Sequence, residues 1–159
     1  VLGLFFRKLL LVVLVLFFAI SPAHAVPAWI DGLLPHSSLQ QVPEANRREA
    51  ACLALAIYFE ARGEPIEGQR AVGHVLVNRT RSPRYPTTIC AVLFQRGQFS
   101  FLRGTTPVLP RTASMWTTAI GVATAVMASS DDASRGALSF CSRRLKRTGY
   151  RIGGHVFYR

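Results

Sequence analysis

The chain has 159 residues, with 19 Lys and Arg against 8 Asp and Glu, a formal net charge of +11. Such an excess favours an anionic partner, whether nucleic acid, acidic lipid or an acidic polymer. The mean hydropathy of +0.26 does not point to a membrane protein, because much of it comes from the N-terminal segment.

That segment reads as a signal peptide over residues 1–25. Arg7 and Lys8 form a basic n-region, Leu9 to Ile20 an apolar run, and Ala23-His24-Ala25 a small-x-small cleavage pattern. The apolar run falls short of the roughly 20 residues of a membrane span; an uncleaved N-terminal anchor is the alternative. Export disfavours nucleic acid as the partner. Residues 26–159 retain 17 of the basic residues and all 8 acidic ones, enough chain for one domain with its own core.

Residues 26–42, with Pro27 and Pro35, read as an extended lead-in. From Pro43 the pattern turns helical, becomes apolar from Ala50 to Ala61, and stops at Gly63. A second helix is expected from Glu64-Pro65 toward Arg79, with Gly68, Ala71 and Gly73 allowing close approach of another backbone. Ser82 to Pro86 must be a loop, and Thr87 or Thr88 then caps a short helix ending near Phe94. Gln98 to Phe101 alternates polar and aromatic residues like a short strand or extended wall. A longer helix follows from Thr112 to Ser130. Ala137 to Cys141 and His155 to Tyr158 are strand-like and could pair across the basic segment Arg143 to Arg151. The fold class is therefore α+β, mainly α, with a small C-terminal β element.

Cys52, Cys90 and Cys141 allow one disulfide and one free thiol in an oxidising compartment, but their pairing is not readable from spacing. His36, His74 and His155 have no metal-ligand spacing, so no metal and no cofactor is expected.

Glu60 is the only carboxylate between Ala50 and Ala61 and shares the apolar stripe of Leu53, Ala56 and Ile57. A carboxylate there must be paired, or be protonated with a raised pKa, because burying the ionised form is costly. Two roles fit: a general acid able to protonate a glycosidic oxygen near neutral pH, or a structural glutamate paired with a neighbouring helix or Arg62. Glu64 and Glu67 fit capping and dipole roles at the start of the second helix.

The run Tyr58-Phe59-Glu60-Ala61-Arg62-Gly63-Glu64-Pro65-Ile66-Glu67-Gly68-Gln69 closely resembles the spore-cortex-lytic, cell-wall-hydrolase family (SleB/CwlJ-type). The likeness continues through Val77-Asn78-Arg79, the segment Ser82 to Cys90, Gly97-Gln98-Phe99-Ser100, Gly136-Ala137-Leu138 and Ile152 to Tyr158. It implies a lysozyme-like catalytic domain over residues 43–159. It also implies cleavage of the bond between N-acetylmuramic acid and N-acetylglucosamine, usually as a lytic transglycosylase, with Glu60 as the catalytic acid. The expected partner is the peptidoglycan glycan strand, with anionic wall polymers as a further possibility, for a monomer acting outside the cytoplasm.

Two carboxylates of fixed separation serve ordinary glycosidases. Here Asp131 and Asp132 look like turn residues, which favours the transglycosylase route with Glu60 as acid and then base. Gln98, Phe99 and Ser100 offer an amide, an aromatic face and a hydroxyl to an acetylated sugar, and Tyr85 is a similar candidate. Ser134, where the family commonly has threonine, could orient the sugar or Glu60; His155 reads as a structural histidine. The chain departs from the family at Leu102-Arg103-Gly104, where relatives often carry a cysteine. It departs again in the short basic segment between Cys141 and His155, which lacks a common Pro-x-Trp element. A non-catalytic peptidoglycan-binding module, a cationic protein of membrane surfaces and a water-using muramidase are the competing readings.

Overall fold

A computed structural model of the chain describes residues 26–103, 107–108, 113–145 and 147–159. The signal segment expected at 1–25 lies outside the described residues.

The helices are α1 (Ser37–Gln40), α2 (Glu44–Ala61), α3 (Ile66–Thr80), α4 (Ile89–Leu93) and α5 (Ala113–Ala128). Short 3₁₀ turns occupy Ala28–Leu33, Ser100–Leu102 and Arg143–Leu145. The strands are β1 (Ser139–Ser142), β2 (Tyr150–Ile152) and β3 (His155–Tyr158).

Helix α2 forms the axis of the molecule. Every residue from Ala50 to Tyr58 is buried, and α3, α4 and α5 all pack on it. A helix that is apolar on all sides has no solvent face, and its alanines let three neighbours approach at once. Leu53, Leu55 and Ile57 are fully buried, each worth roughly 1.5–3 kcal/mol of transfer free energy. Gly73 is the matching device on α3, since a Cβ there would lie 3.2 Å from both Ile57 Cδ1 and Val126 Cγ2.

The lead-in is not extended as the prolines suggested. Residues 28–33 and 37–40 coil into helical turns that bury Ile30, Leu33, Leu39 and Val42 against the main core. Proline at position 27 supplies the N-cap of the first turn, so it starts a helix instead of preventing one. Gln98–Phe101 differs as well: Phe99 is extended, but a 3₁₀ turn follows from Ser100, because Phe99 and Phe101 both pack inward.

Two links hold α4 to α2. Cys52 and Cys90 form the disulfide, and Cys141 is the free thiol. One turn earlier on α2, Glu49 Oε2 accepts the N–H of Ile89 at 2.5 Å, while Thr88 Oγ1 accepts that of Ala91 at 3.2 Å. The first turn of α4 is thus capped both from its own chain and from the helix it is stapled to.

The three-stranded antiparallel sheet has the order β1-β3-β2, with Cys141 opposite Val156 and Ile152 opposite His155. The expected pairing of the outer two segments is present, and β2 adds an edge strand from within the basic stretch. Ile152, Phe157 and Ala137 form a second small core with Ala61, Val72 and Val75, which docks the sheet on α3 and the end of α2.

Candidate active site

Glu60 sits in the last turn of α2, where the helix leaves the core and its side chain is half-buried. Burial raises its pKa above the ordinary carboxylate value, and among the described residues no neighbouring charge or hydrogen bond offsets the rise. Its neighbour Phe59 stacks on Phe101 with ring centroids 4.4 Å apart, and Phe101 lies 5.8 Å from Phe99. This aromatic row fixes the Gln98–Phe99 segment beside the carboxyl group.

A groove of about 300 Å³ runs between the helical body and the sheet, and Glu60 lines it together with Arg79, Gln98, Phe99, Phe140 and His155. A second depression of about 730 Å³ continues from it, sharing Glu60 and His155 and adding Glu64, Arg143, Arg144 and Arg151. Glu60 therefore stands where an elongated cleft changes from aromatic to polar walls.

Of the residues expected to meet substrate, Gln98 and Phe99 line the groove with Glu60. Ser100 is exposed just beyond it. Tyr85 is not a lining residue; its ring lies under the guanidinium groups of Arg79 (5.1 Å) and Arg84 (5.9 Å), so it reaches the groove only by supporting Arg79. Ser134 must be corrected more firmly. It is 2% exposed, and its hydroxyl donates to Asp132 Oδ1 at 2.6 Å and accepts from Asn78 Nδ2 at 3.1 Å. The buried hydroxyl is thus directed into the loop. Burial pushes the Asp132 carboxyl upward, but hydrogen bonds from Ser134, Asn78 and Gly136 outweigh it and hold the group below its usual range. Asp132 is the knot of a loop and stays ionised.

Glu64 is also corrected. Pro65 is the N-cap of α3 and no side chain caps that end. The Glu64 carboxylate instead crosses to the β2–β3 turn, where Oε2 accepts the N–H of Gly154 at 2.7 Å and Oε1 lies 3.8 Å from His155 Nδ1. The break at Gly63 and Pro65 turns Glu64 away from the helix end. Glycines suit the turn that receives it: Gly153 has φ +53°, which favours glycine, and a Cβ on Gly154 would lie 2.6 Å from Oε1 and displace the carboxylate. Burial lowers the pKa of His155, partly countered by Glu64.

Sequence reasoning missed Arg79, Phe140 and the part His155 plays as a groove wall. Arg79 carried a signal: it lies four residues after Val75 and three after Leu76, on the same buried face, which an arginine occupies only with a purpose. Its Nε donates to the carbonyl of Leu138 at 2.8 Å. Phe140 and His155 come together only through the β1–β3 register and gave no such sign.

Residues 63–158 match the family described as Cell Wall Hydrolase. The chain belongs to the cell wall hydrolase family. Glu60 lies three residues before the matched span, so its place in the site rests on the geometry above. The chain is 51% identical over 50 residues to the spore cortex-lytic enzyme of Bacillus subtilis, covering 31% of this chain and 16% of that protein. With the spore cortex-lytic enzyme of Oceanobacillus iheyensis it shares 42% over 60 residues, covering 37% and 22%. Each match thus spans less than a quarter of the relative's length. Among solved structures, the catalytic domain of the germination-specific lytic transglycosylase SleB from Bacillus anthracis superposes with a TM-score of 0.56 at 27% identity, covering 70% of this chain and 93% of that one. The helical body with a small sheet is therefore the fold of a cell wall hydrolase catalytic domain.

Proposed function

We propose that the protein cleaves the bond between N-acetylmuramic acid and N-acetylglucosamine in peptidoglycan as a lytic transglycosylase, with Glu60 as acid and then base. The observation that carries this reading is the half-buried Glu60 carboxyl, raised in pKa by desolvation alone, at the centre of an elongated cleft. A carboxylic acid that holds its proton above the ordinary carboxylate range can donate it to the leaving glycosidic oxygen. The resulting carboxylate then takes the proton of the muramic 6-hydroxyl, whose oxygen attacks C1 and closes a 1,6-anhydro ring. No water is consumed. Gln98 and Phe99 supply an amide and an aromatic face for the acetylated sugars.

A water-using muramidase would draw a second carboxylate from the cleft. Among the described residues Glu64 is the other carboxylate that lines it, and its Oε2 already accepts the N–H of Gly154, while Oε1 lies 3.8 Å from His155 Nδ1. Asp132 is tied into its loop. On this reading the enzyme works outside the cytoplasm, as the signal-like residues 1–25 imply. Mass spectrometry of muropeptides released from purified wall tests it: an anhydro-muramic product, lighter by one water, is expected. A fully hydrated reducing end would overturn the transglycosylase step, and no release at all would overturn the enzyme.

A further inference from the structure

The more open, polar end of the cleft has a wall that the proposed chemistry at Glu60 does not use. Arg143, Arg144 and Arg151 line it beside Glu60 and His155, and all three are exposed. Among the described residues none of the three forms a salt bridge. Glu64, the other carboxylate lining this end besides Glu60, is engaged by the Gly154 N–H. Arg143 Nη1 donates to the carbonyl of Gly153 at 3.2 Å, which ties its guanidinium to the turn of the β2–β3 hairpin. Arg143 and Arg144 come from the 3₁₀ turn after β1 and Arg151 from β2, so two segments bring their charge to one wall of the cleft.

Three guanidinium groups with free N–H donors form a receptor for carboxylate or phosphate, which they bind in paired geometry. The glycan itself presents hydroxyls and acetamido groups there. In the strand proposed above, the muramic ring whose C1 must lie at Glu60 also bears, at its 3-position, the lactyl ether and stem peptide. Free carboxylates of that stem are thus the anions brought nearest to a wall adjoining Glu60.

We propose that Arg143, Arg144 and Arg151 form a carboxylate-binding shelf that selects glycan strands still bearing acidic stem peptides. The inference rests on the reading of Glu60 as the catalytic acid of a peptidoglycan-cleaving enzyme. The shelf orients the muramic ring from its 3-substituent while Gln98 and Phe99 hold the strand at the other end of the cleft.

The test uses purified peptidoglycan freed of phosphate-bearing polymers, in two forms: with its carboxylates free, and with them converted to amides by carbodiimide and ammonia. Wild-type protein is expected to cleave the free-carboxylate form with kcat/KM higher by about three- to tenfold, the range for a few solvent-exposed ion pairs. The triple variant R143Q/R144Q/R151Q should bring that ratio close to one. Should the triple variant fail to fold by circular dichroism, R144Q/R151Q keeps the Arg143–Gly153 bond and should remove at least half of the preference. An undiminished preference in a folded variant overturns the shelf. A preference seen only with walls that retain their phosphate polymers overturns the stem as ligand. Wild-type protein that releases muropeptides equally from both forms overturns the shelf but keeps the enzyme, whereas release from neither overturns both.

Discussion

Replacing Glu60 by glutamine removes a transferable proton while keeping the shape of the side chain. Cleavage in E60Q should fall by roughly 10² to 10⁴, the usual worth of general acid catalysis, with wall binding retained; wild-type turnover would rule out the assignment. The same desolvation sets two pH dependences. Activity needs the protonated acid for its first step, so its alkaline limb should lie above the ordinary carboxylate range and vanish from stability-corrected profiles of E60Q. Stability runs in the same direction. A folded-state pKa above the unfolded value means that the folded protein holds the proton more tightly, so the contribution of Glu60 to stability is greatest at low pH. It declines as pH rises from the unfolded pKa through the raised one. E60Q lacks this decline and is expected to melt higher than wild type at neutral pH, measured by thermal denaturation at several pH values.

The β2–β3 hairpin is held to the helical body by its small core and by the Glu64 carboxylate at the Gly153–Gly154 turn. Because the donating Gly154 N–H is exposed, E64A should lose only about 1 kcal/mol of stability. The functional loss should be larger in KM than in kcat, since His155 and the basic wall move with the hairpin while Glu60 stays on α2. E64Q, which keeps an acceptor oxygen, should fall between E64A and wild type. Steady-state kinetics on soluble glycan fragments separates the two constants. If E64Q proves inactive at full stability while E60Q still cleaves, the catalytic acid has been misassigned. At the other side of α2, the C52A/C90A variant tests the staple. The bridge closes a sequence separation of 38 residues, and the chain-entropy estimate for a loop of that length is about 3–4 kcal/mol. Denaturant unfolding should show this loss. Activity at low temperature should survive, because Glu49 and Thr88 still cap α4.

For the whole molecule the dominant quantity is charge. The described residues bear a large excess of arginines over carboxylates, and the wall they are proposed to act on is acidic. Wall binding should therefore weaken steadily between about 0.05 and 0.5 M salt, as the screening length falls from beyond 10 Å to a few ångström. Sedimentation of the E60Q protein with purified wall measures this without cleavage, and salt-independent binding would make the charge incidental. Among the described residues no helix is long and apolar enough to cross a membrane. Cleavage that persists while binding to anionic liposomes is lost would exclude the membrane-surface reading.

The helical body was legible before any coordinates, because its signals are local. An uninterrupted apolar run with Glu60 as its one carboxylate marks α2, Thr88 marks the start of α4, and Gly73 marks a close crossing. Such features depend on residues a few positions apart, which share a helix face whatever the rest of the chain does. Tertiary structure decided the partners. Cys52 finds Cys90 and not Cys141, and Ser134 spends its hydroxyl on Asp132. Glu64 serves a turn ninety residues away instead of the helix beside it. Residues 28–40 coil because Ile30 and Leu39 have a core to enter, which no local pattern announces. The cleft belongs to this second class. One wall comes from the end of α2 and the other from a strand register, and only the packing of the small sheet on α3 sets His155 and the arginines opposite Glu60.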